Sequence, residues 1–300
     1  MKKKTYLIAL MAMALTLGSC SDNENGIGGE TSKYITVSTS IGNMTRVATD
    51  ANGAQTFEEG DEISVYAWTG APTVAPETSE RVVNNAINKL TNGSWVSTPQ
   101  MLWKNNRDKH YFIGVYPTAA ISDLSAGEYT FDANKQTESD LLVAVNPDGL
   151  SYSADAQQIV PLTFTHVMAK LAVNLTYKNQ WGGIPTVEKV VVGNAAKEAT
   201  INYLTKVVTP STTAKEDFSL PEITENTKYV SVIIPQEDVK QLTIVIGGKN
   251  FVYDNGTPFK LESGKITTVN LEVGRDEIKL GDVKITDWED GSTFGGEALN

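Results

Sequence analysis

Cysteine is nearly missing from this sequence: among 300 residues, Cys20 is the sole example. That excludes an intrachain disulfide and a metal centre built from clustered cysteines. Histidine is almost as scarce, with His110 and His166 alone, which leaves little for imidazole chemistry. Positive charge is in deficit. The 25 lysines and arginines face 36 acidic residues, a net charge of −11, and this argues against a nucleic-acid partner, because phosphate tracking needs a basic face. No GxSxG, P-loop, HExxH or dinucleotide fingerprint occurs. Residues Asp132 to Asp140 superficially resemble a calcium loop, but Thr137 and Val143 stand where the glycine and the glutamate are needed. The acidic group Glu58, Glu59, Asp61 and Glu62 flanks Gly60 and reads as a solvated turn, not a catalytic carboxylate pair. His166, between Phe164 and Met168, reads as a packed interior side chain. The expectation is a protein without catalytic site, cofactor or metal.

The only long apolar run is at the start. Lys2, Lys3 and Lys4 precede an apolar stretch from Tyr6 to Leu17, too short to span a bilayer comfortably. Leu17-Gly18-Ser19-Cys20 follows. Small residues before the chain's sole cysteine look like a bacterial lipobox, with cleavage before Cys20 and lipidation of its thiol and new amino group. A plain secretory signal with an incidental cysteine is the alternative. Lipid chains on one residue would anchor the protein firmly, at about 0.8 kcal/mol per buried methylene. The polar, glycine-rich stretch Ser21 to Ser32 reads as a tether. Its SDNEN start resembles the acidic signals that direct some lipoproteins to the cell exterior, and equally suits a solvated linker.

The whole sequence is rich in glycine (24) and proline (11), and the remainder is patterned for strands rather than helices. Ile35, Val37 and Ile41 alternate with polar residues in KYITVSTSI, and Arg46 closes the loop after it. Strong strands follow at Glu62 to Trp68, Tyr111 to Tyr116 and Leu141 to Val145, and Asn92-Gly93 marks a hairpin turn. Only Ala75 to Lys89 admits a helical turn or two. The longest strand-like run, Val160 to Tyr177, changes phase at Val167 and Met168 and reads as the seam between two β domains. Beyond it, strands are expected near 187–192, 200–208, 229–234, 242–246 and 250–253. A hairpin is expected to join 259–261 to 266–273, and Gly247-Gly248 marks a tight turn. One apolar strand is then left without an obvious partner, Glu277 to Trp288. Ile278 and Leu280 lie on one face, Gly281 and Asp282 break the phase, and Val283 and Ile285 continue it. Unpaired apolar strands are association sites. Four glycosylation-type sequons, at Asn43, Asn92, Asn174 and Asn255, carry no meaning in a bacterial lipoprotein.

The ordered set of the lipobox at Cys20, KYITVSTSIGNMTR, TFEEGDEISVYAW, VPLTFTHVMAKLAVNL and the ending KITTVNLEV…VKITDW resembles the fimbrillin family, the subunits of type V pili. The resemblance covers most of the chain. It implies an all-β fold of two tandem transthyretin-like Greek-key β-sandwiches. The expected division is 1–19 as signal peptide, 20–46 as tether and removable first strand, 47–160 and 161–276 as the two sandwiches, and 277–300 as a donor-type strand with its tail. The resemblance also implies a route. The precursor is exported, lipidated at Cys20 and carried to the outer membrane. An arginine-specific protease cuts between Arg46 and Val47 and so removes the strand bearing Ile35, Val37 and Ile41. A neighbouring pilin subunit then fills the groove with Ile278, Leu280, Val283, Ile285 and Trp288, and the head-to-tail contact propagates as a filament.

Plainer readings exist for each element. Arg46 suits an ordinary loop, residues 278–288 suit an edge strand of their own domain, and Trp288 suits a core cover as well as a groove anchor. Two functions outside the shaft-subunit reading follow: an uncut surface lipoprotein that binds a glycan or host protein, or serves as pilus anchor or tip, and a surface hydrolase. Turnover of a polysaccharide abolished by one carboxylate change would single out the hydrolase.

Overall fold

The computed structural model describes residues 33–42, 56–154, 158–254 and 256–288; Cys20, Arg46 and Val47 lie outside them. The regular structure among the described residues is almost wholly β. In chain order the first eight strands are β1 (Thr36–Ile41), β2 (Glu62–Thr69), β3 (Val83–Thr91), β4 (Ser94–Thr98), β5 (His110–Tyr116), β6 (Gly127–Thr130), β7 (Leu142–Leu150) and β8 (Ile159–His166). Then come β9 (Ala169–Tyr177), β10 (Val187–Ala196), β11 (Glu198–Asn202), β12 (Val207–Pro210), β13 (Lys215–Leu220), β14 (Glu222–Thr224), β15 (Lys228–Ile233), β16 (Gln241–Ile246), β17 (Lys249–Asp254), β18 (Lys265–Val273) and β19 (Ile278–Asp287). They form a seven-stranded sheet β1-β8-β7-β5-β2-β3-β4, a five-stranded sheet β14-β15-β9-β18-β19, a four-stranded sheet β13-β10-β16-β17 and a three-stranded sheet β12-β11-β6. Among these residues no helix is long and apolar enough to cross a membrane.

Burial explains the pattern of the central strands. In β2, Ile63, Val65 and Ala67 enter one apolar cluster while Tyr66 and Trp68 enter another. In β5, Phe112 faces the first cluster and Ile113 and Val115 the second. Strands covered on both faces read as unbroken apolar runs rather than alternations, hence ISVYAW and YFIGVY. The second cluster continues into the other three sheets. Backbone pairing crosses the midpoint too: β6 pairs with β11, Phe131 N–H donates to Lys197 O at 2.8 Å, and Tyr203 N–H donates to Leu124 O at 2.9 Å.

The phase change at Val167 and Met168 marks where the chain leaves the seven-stranded sheet as β8 and enters the five-stranded sheet as β9. Asn92 and Gly93, at φ 52° and 71°, make the tight turn between β3 and β4, the left-handed pair that Asn-Gly adopts most easily.

Two local expectations are corrected, and a third is met in part: between Ala75 and Lys89 one 3₁₀ turn forms, Thr78–Glu80, and strand β3 begins at Val83. Val83, Ala86, Ile87 and Leu90 have helical spacing because Asn85 sits at φ 55° in a bulge, which resets the alternation. The stretch 200–208 is a hairpin, β11 to β12, with Asn202 Oδ1 accepting from Leu204 and Thr205 N–H at 3.1 and 3.0 Å in its turn. The segment 259–261 does not pair with β18. Leu261 bridges Gln236, and β18 lies parallel to β9 instead. That leaves the far edge of β18 open, and β19 occupies it. The strand expected to be without a partner therefore has one.

Candidate functional site

The site has two parts, the place of the first strand and the seat of the last. β1 runs parallel to β8, from Thr36 opposite Ile159 to Ile41 opposite Phe164. Just before it, the chain pairs on its other side: Ile35 N–H donates to Met101 O at 2.9 Å and Trp103 N–H to Lys33 O at 3.2 Å. Further along, Trp95 Nε1–H of β4 donates to Thr39 Oγ1 at 2.9 Å. The two edges of the seven-stranded sheet, β1 and β4, thus face each other, and β1 closes the wall around the first cluster. Ile35 and Val37 are 2% and 7% exposed, and Ile41 packs at the cluster's margin. The opposite lining is Val160, Leu162 and Phe164 of β8 with Met101 and Trp103. Phe57 stands edge-on to Trp95, Tyr116 and Phe164, with centroids 5.1–5.3 Å apart, over the end where Ile41 lies. A slot this apolar, lined on two sides by backbone donors and acceptors, is built to hold an extended strand with a large side chain at every second position.

β19 is the edge of the five-stranded sheet. Its ladder with β18 contains a bulge: Leu280 opposes Leu271, Asp282 opposes Asn270, and Gly281 is the extra residue. The bulge undoes the phase break seen in the sequence. Ile278, Leu280, Val283 and Ile285 oppose Val273, Leu271, Val269 and Thr267, so all four lie on one face. Ile278 and Leu280 pack against the large cluster, whereas Val283 and Ile285 remain 37% and 38% exposed. The strand is apolar on one side yet only half covered by its own chain. At its start Lys178 bonds Glu277, and this partner holds the Glu277 carboxyl below its usual range.

Trp288 fixes the other end. Its N–H donates to Gly264 O at 2.9 Å and its side chain is 9% exposed. The ring stacks on His166, centroids 3.9 Å apart and planes 7° from parallel. Lys170 Nζ stands over the indole, 4.0 Å from its centroid. On its far side His166 Nδ1 meets Asp140 Oδ1 at 2.8 Å. His166 is buried as the sequence suggested, but as a stacking platform. Its pairing with Trp288, across most of the second half of the chain, has no local signal. No group of three or more metal-ligating side chains occurs among the described residues.

Residues 45–288 match the fimbrillin-like family. No curated protein matches the sequence. The fold is similar to that of a candidate cell adhesion protein from Bacteroides ovatus, at 19% identity and a TM-score of 0.62, covering 85% of this chain and 98% of that one. A second candidate cell adhesion protein, from Bacteroides uniformis, gives 18% identity and 0.62 over 85% and 98%. A fimbrial protein from Bacteroides vulgatus gives 13% and 0.52 over 84% and 99%.

Proposed function

The chain belongs to the fimbrillin-like family, and we propose that it is a structural pilin of a type V fimbria, built by exchange of its first strand. In this reading Cys20 carries the lipid anchor, the precursor reaches the outer membrane, and an arginine-specific protease cuts after Arg46. Loss of Ile35, Val37 and Ile41 opens the slot beside β8. β19 of the next copy, or of a related subunit, fills it with Ile278, Leu280, Val283 and Ile285. The two sandwiches, 47–160 and 161–276, remain as the body of the subunit. The observation that carries the reading is the complementarity of the two strands. One slot demands a strand with large apolar residues at alternate positions, and one edge strand carries such a face half uncovered.

Pairing of β19 with β18 favours a second reading, in which an uncut chain keeps both strands and acts as pilus anchor, tip or surface binding lipoprotein. Treating the surface-exposed precursor with an arginine-specific protease separates the two. A ladder of multimers that survives mild detergent is expected from the natural chain and none from Arg46→Ala. Equal ladders from both, or none from either, contradict strand exchange at this site.

A further inference from the structure

Arginine is rare in this chain: four residues, Arg46, Arg81, Arg107 and Arg275, against 21 lysines. The last three lie among the described residues, and each is held in a different way. We infer that the fold itself selects the point of cleavage: the peptide bonds after Arg81, Arg107 and Arg275 are locked against an arginine-specific protease, and Arg46 is thereby left as its target. The inference rests on the reading in which such a protease matures the precursor.

A protease of this kind takes the guanidinium into a pocket and the flanking backbone as an extended strand with free peptide groups. Arg81 offers neither. It is 8% exposed, and its Nη1 donates to Ile121 O at 2.6 Å and to Asn84 Oδ1 at 2.9 Å, while Nη2 donates to Ser122 O. The bond after it is engaged as well, because Val82 N–H donates to Ala67 O at 2.8 Å.

Arg107 is exposed, in the loop between β4 and β5, the kind of place where nicking concentrates. Asn105 closes it. Its Oδ1 accepts from Arg107 N–H and from Asp108 N–H, each at 2.8 Å, and its Nδ2 donates to Asp108 Oδ2 at 2.8 Å. The loop is wound into a turn, and the N–H of the 107–108 bond is occupied. His110, fully buried, ties the same loop at two points. Its Nε2 accepts from Lys104 N–H at 3.0 Å, which leaves Nδ1–H to donate to Asp108 O at 3.1 Å. Burial holds the imidazole pKa below its ordinary value, and the neutral ring keeps Nε2 as an acceptor.

Arg275 sits in the short turn between β18 and β19, closed by Gly274 N–H donating to Glu277 O at 2.8 Å. Its N–H donates to Gln180 Oε1 at 3.2 Å, and its guanidinium lies 5.5 Å from the centroid of the Trp181 ring. The carbonyl that a protease would attack accepts from Lys249 Nζ at 3.0 Å. At all three arginines the scissile peptide group already has a partner within the fold.

The folded full-length chain is treated with a purified arginine-specific protease, and cuts are timed by mass spectrometry, with the denatured chain as the control that is cut at all four arginines. The expected result is a cut after Arg46, with the other three bonds cleaved at least about 10²-fold more slowly, since cleavage there waits for local opening. Asn105→Ala removes the turn and should speed the cut at Arg107 about tenfold, with Arg81 and Arg275 unchanged. Cleavage of the folded natural chain at any of the three as fast as at Arg46 overturns the inference. So does Asn105→Ala if it leaves Arg107 unchanged or speeds all three sites alike. No cut at Arg46 while the other three bonds hold contradicts the maturation reading and leaves the locks standing.

Discussion

A chain that begins at Val47 is expected to be less stable than one that keeps residues 33–46 by on the order of 5–9 kcal/mol, and to recover most of that loss when a peptide with the sequence of residues 277–288 is added. The figure comes from Ile35, Val37 and Ile41. Burial of such side chains contributes about 1.5–3 kcal/mol each, an upper estimate because the unfolded chain already buries part of its surface. Whole domains are stable by about 5–15 kcal/mol, so the shortened chain sits near the limit of folding. The backbone adds to the effect. Removing β1 frees the β8 edge and breaks the bonds of Ile35 to Met101 and of Lys33 to Trp103, which join its start to the opposite wall. Urea titration of the two chains measures the loss, and the midpoint rises with peptide concentration if the peptide binds only the folded slot. A peptide with serine at 278, 280, 283 and 285 should give no rescue. A shortened chain within about 1 kcal/mol of the longer one would mean that β1 is a dispensable cover.

Trp288→Ala should release β19 while leaving the seven-stranded sheet intact. Replacing a buried aromatic ring by alanine costs about 3–5 kcal/mol. Here the ring contributes the stack on His166 and the contact with Lys170, and the rest of the strand is held by a ladder on one edge and by four half-covered side chains. Local opening then becomes the cheapest route for exchange of the β18–β19 amides. Their exchange should accelerate by roughly 10²–10³-fold, at about 1.4 kcal/mol per factor of ten, with little change for the β1–β8 amides. Hydrogen-exchange mass spectrometry reads the two ladders separately. Trp288→Phe keeps a ring on His166 and should show only part of the acceleration. Equal acceleration across both sheets would indicate that Trp288 supports the whole unit instead of latching one strand.

Much of this architecture was legible because it depends on near neighbours in sequence. The run from Val160 to Tyr177 declares two strands and the break between them, since a phase shift at Val167 and Met168 follows from the change of sheet. Asn92-Gly93 and Gly247-Gly248 declare their turns through the left-handed geometry they adopt, with Gly247 and Gly248 at φ 58° and 72°. Illegible features depend on distant partners. Parallel pairing of β1 with β8 and of β9 with β18 has no connecting turn to signal it, so the sequence alone pairs β18 with the nearby 259–261 and leaves β19 without a partner. The bulge at Asn85 mimicked helical spacing, and the one at Gly281 looked like a broken strand while it keeps four apolar side chains on one face. β13 carries little signal because KEDFSL buries only Phe218 and Leu220. Of the site, the apolar faces of both strands could be read in advance. The platform beneath Trp288 could not, because His166, bonded to Asp140, and Lys170 meet the indole only after both sheets have formed.

The most direct test of strand exchange is the N-terminal sequence of the protein recovered from the cell surface. The account predicts material that begins at Val47, with the first strand gone. Material that begins wholly at a blocked, lipidated Cys20 would contradict it: each chain would then keep its own β1, and no slot would exist for a neighbour to fill.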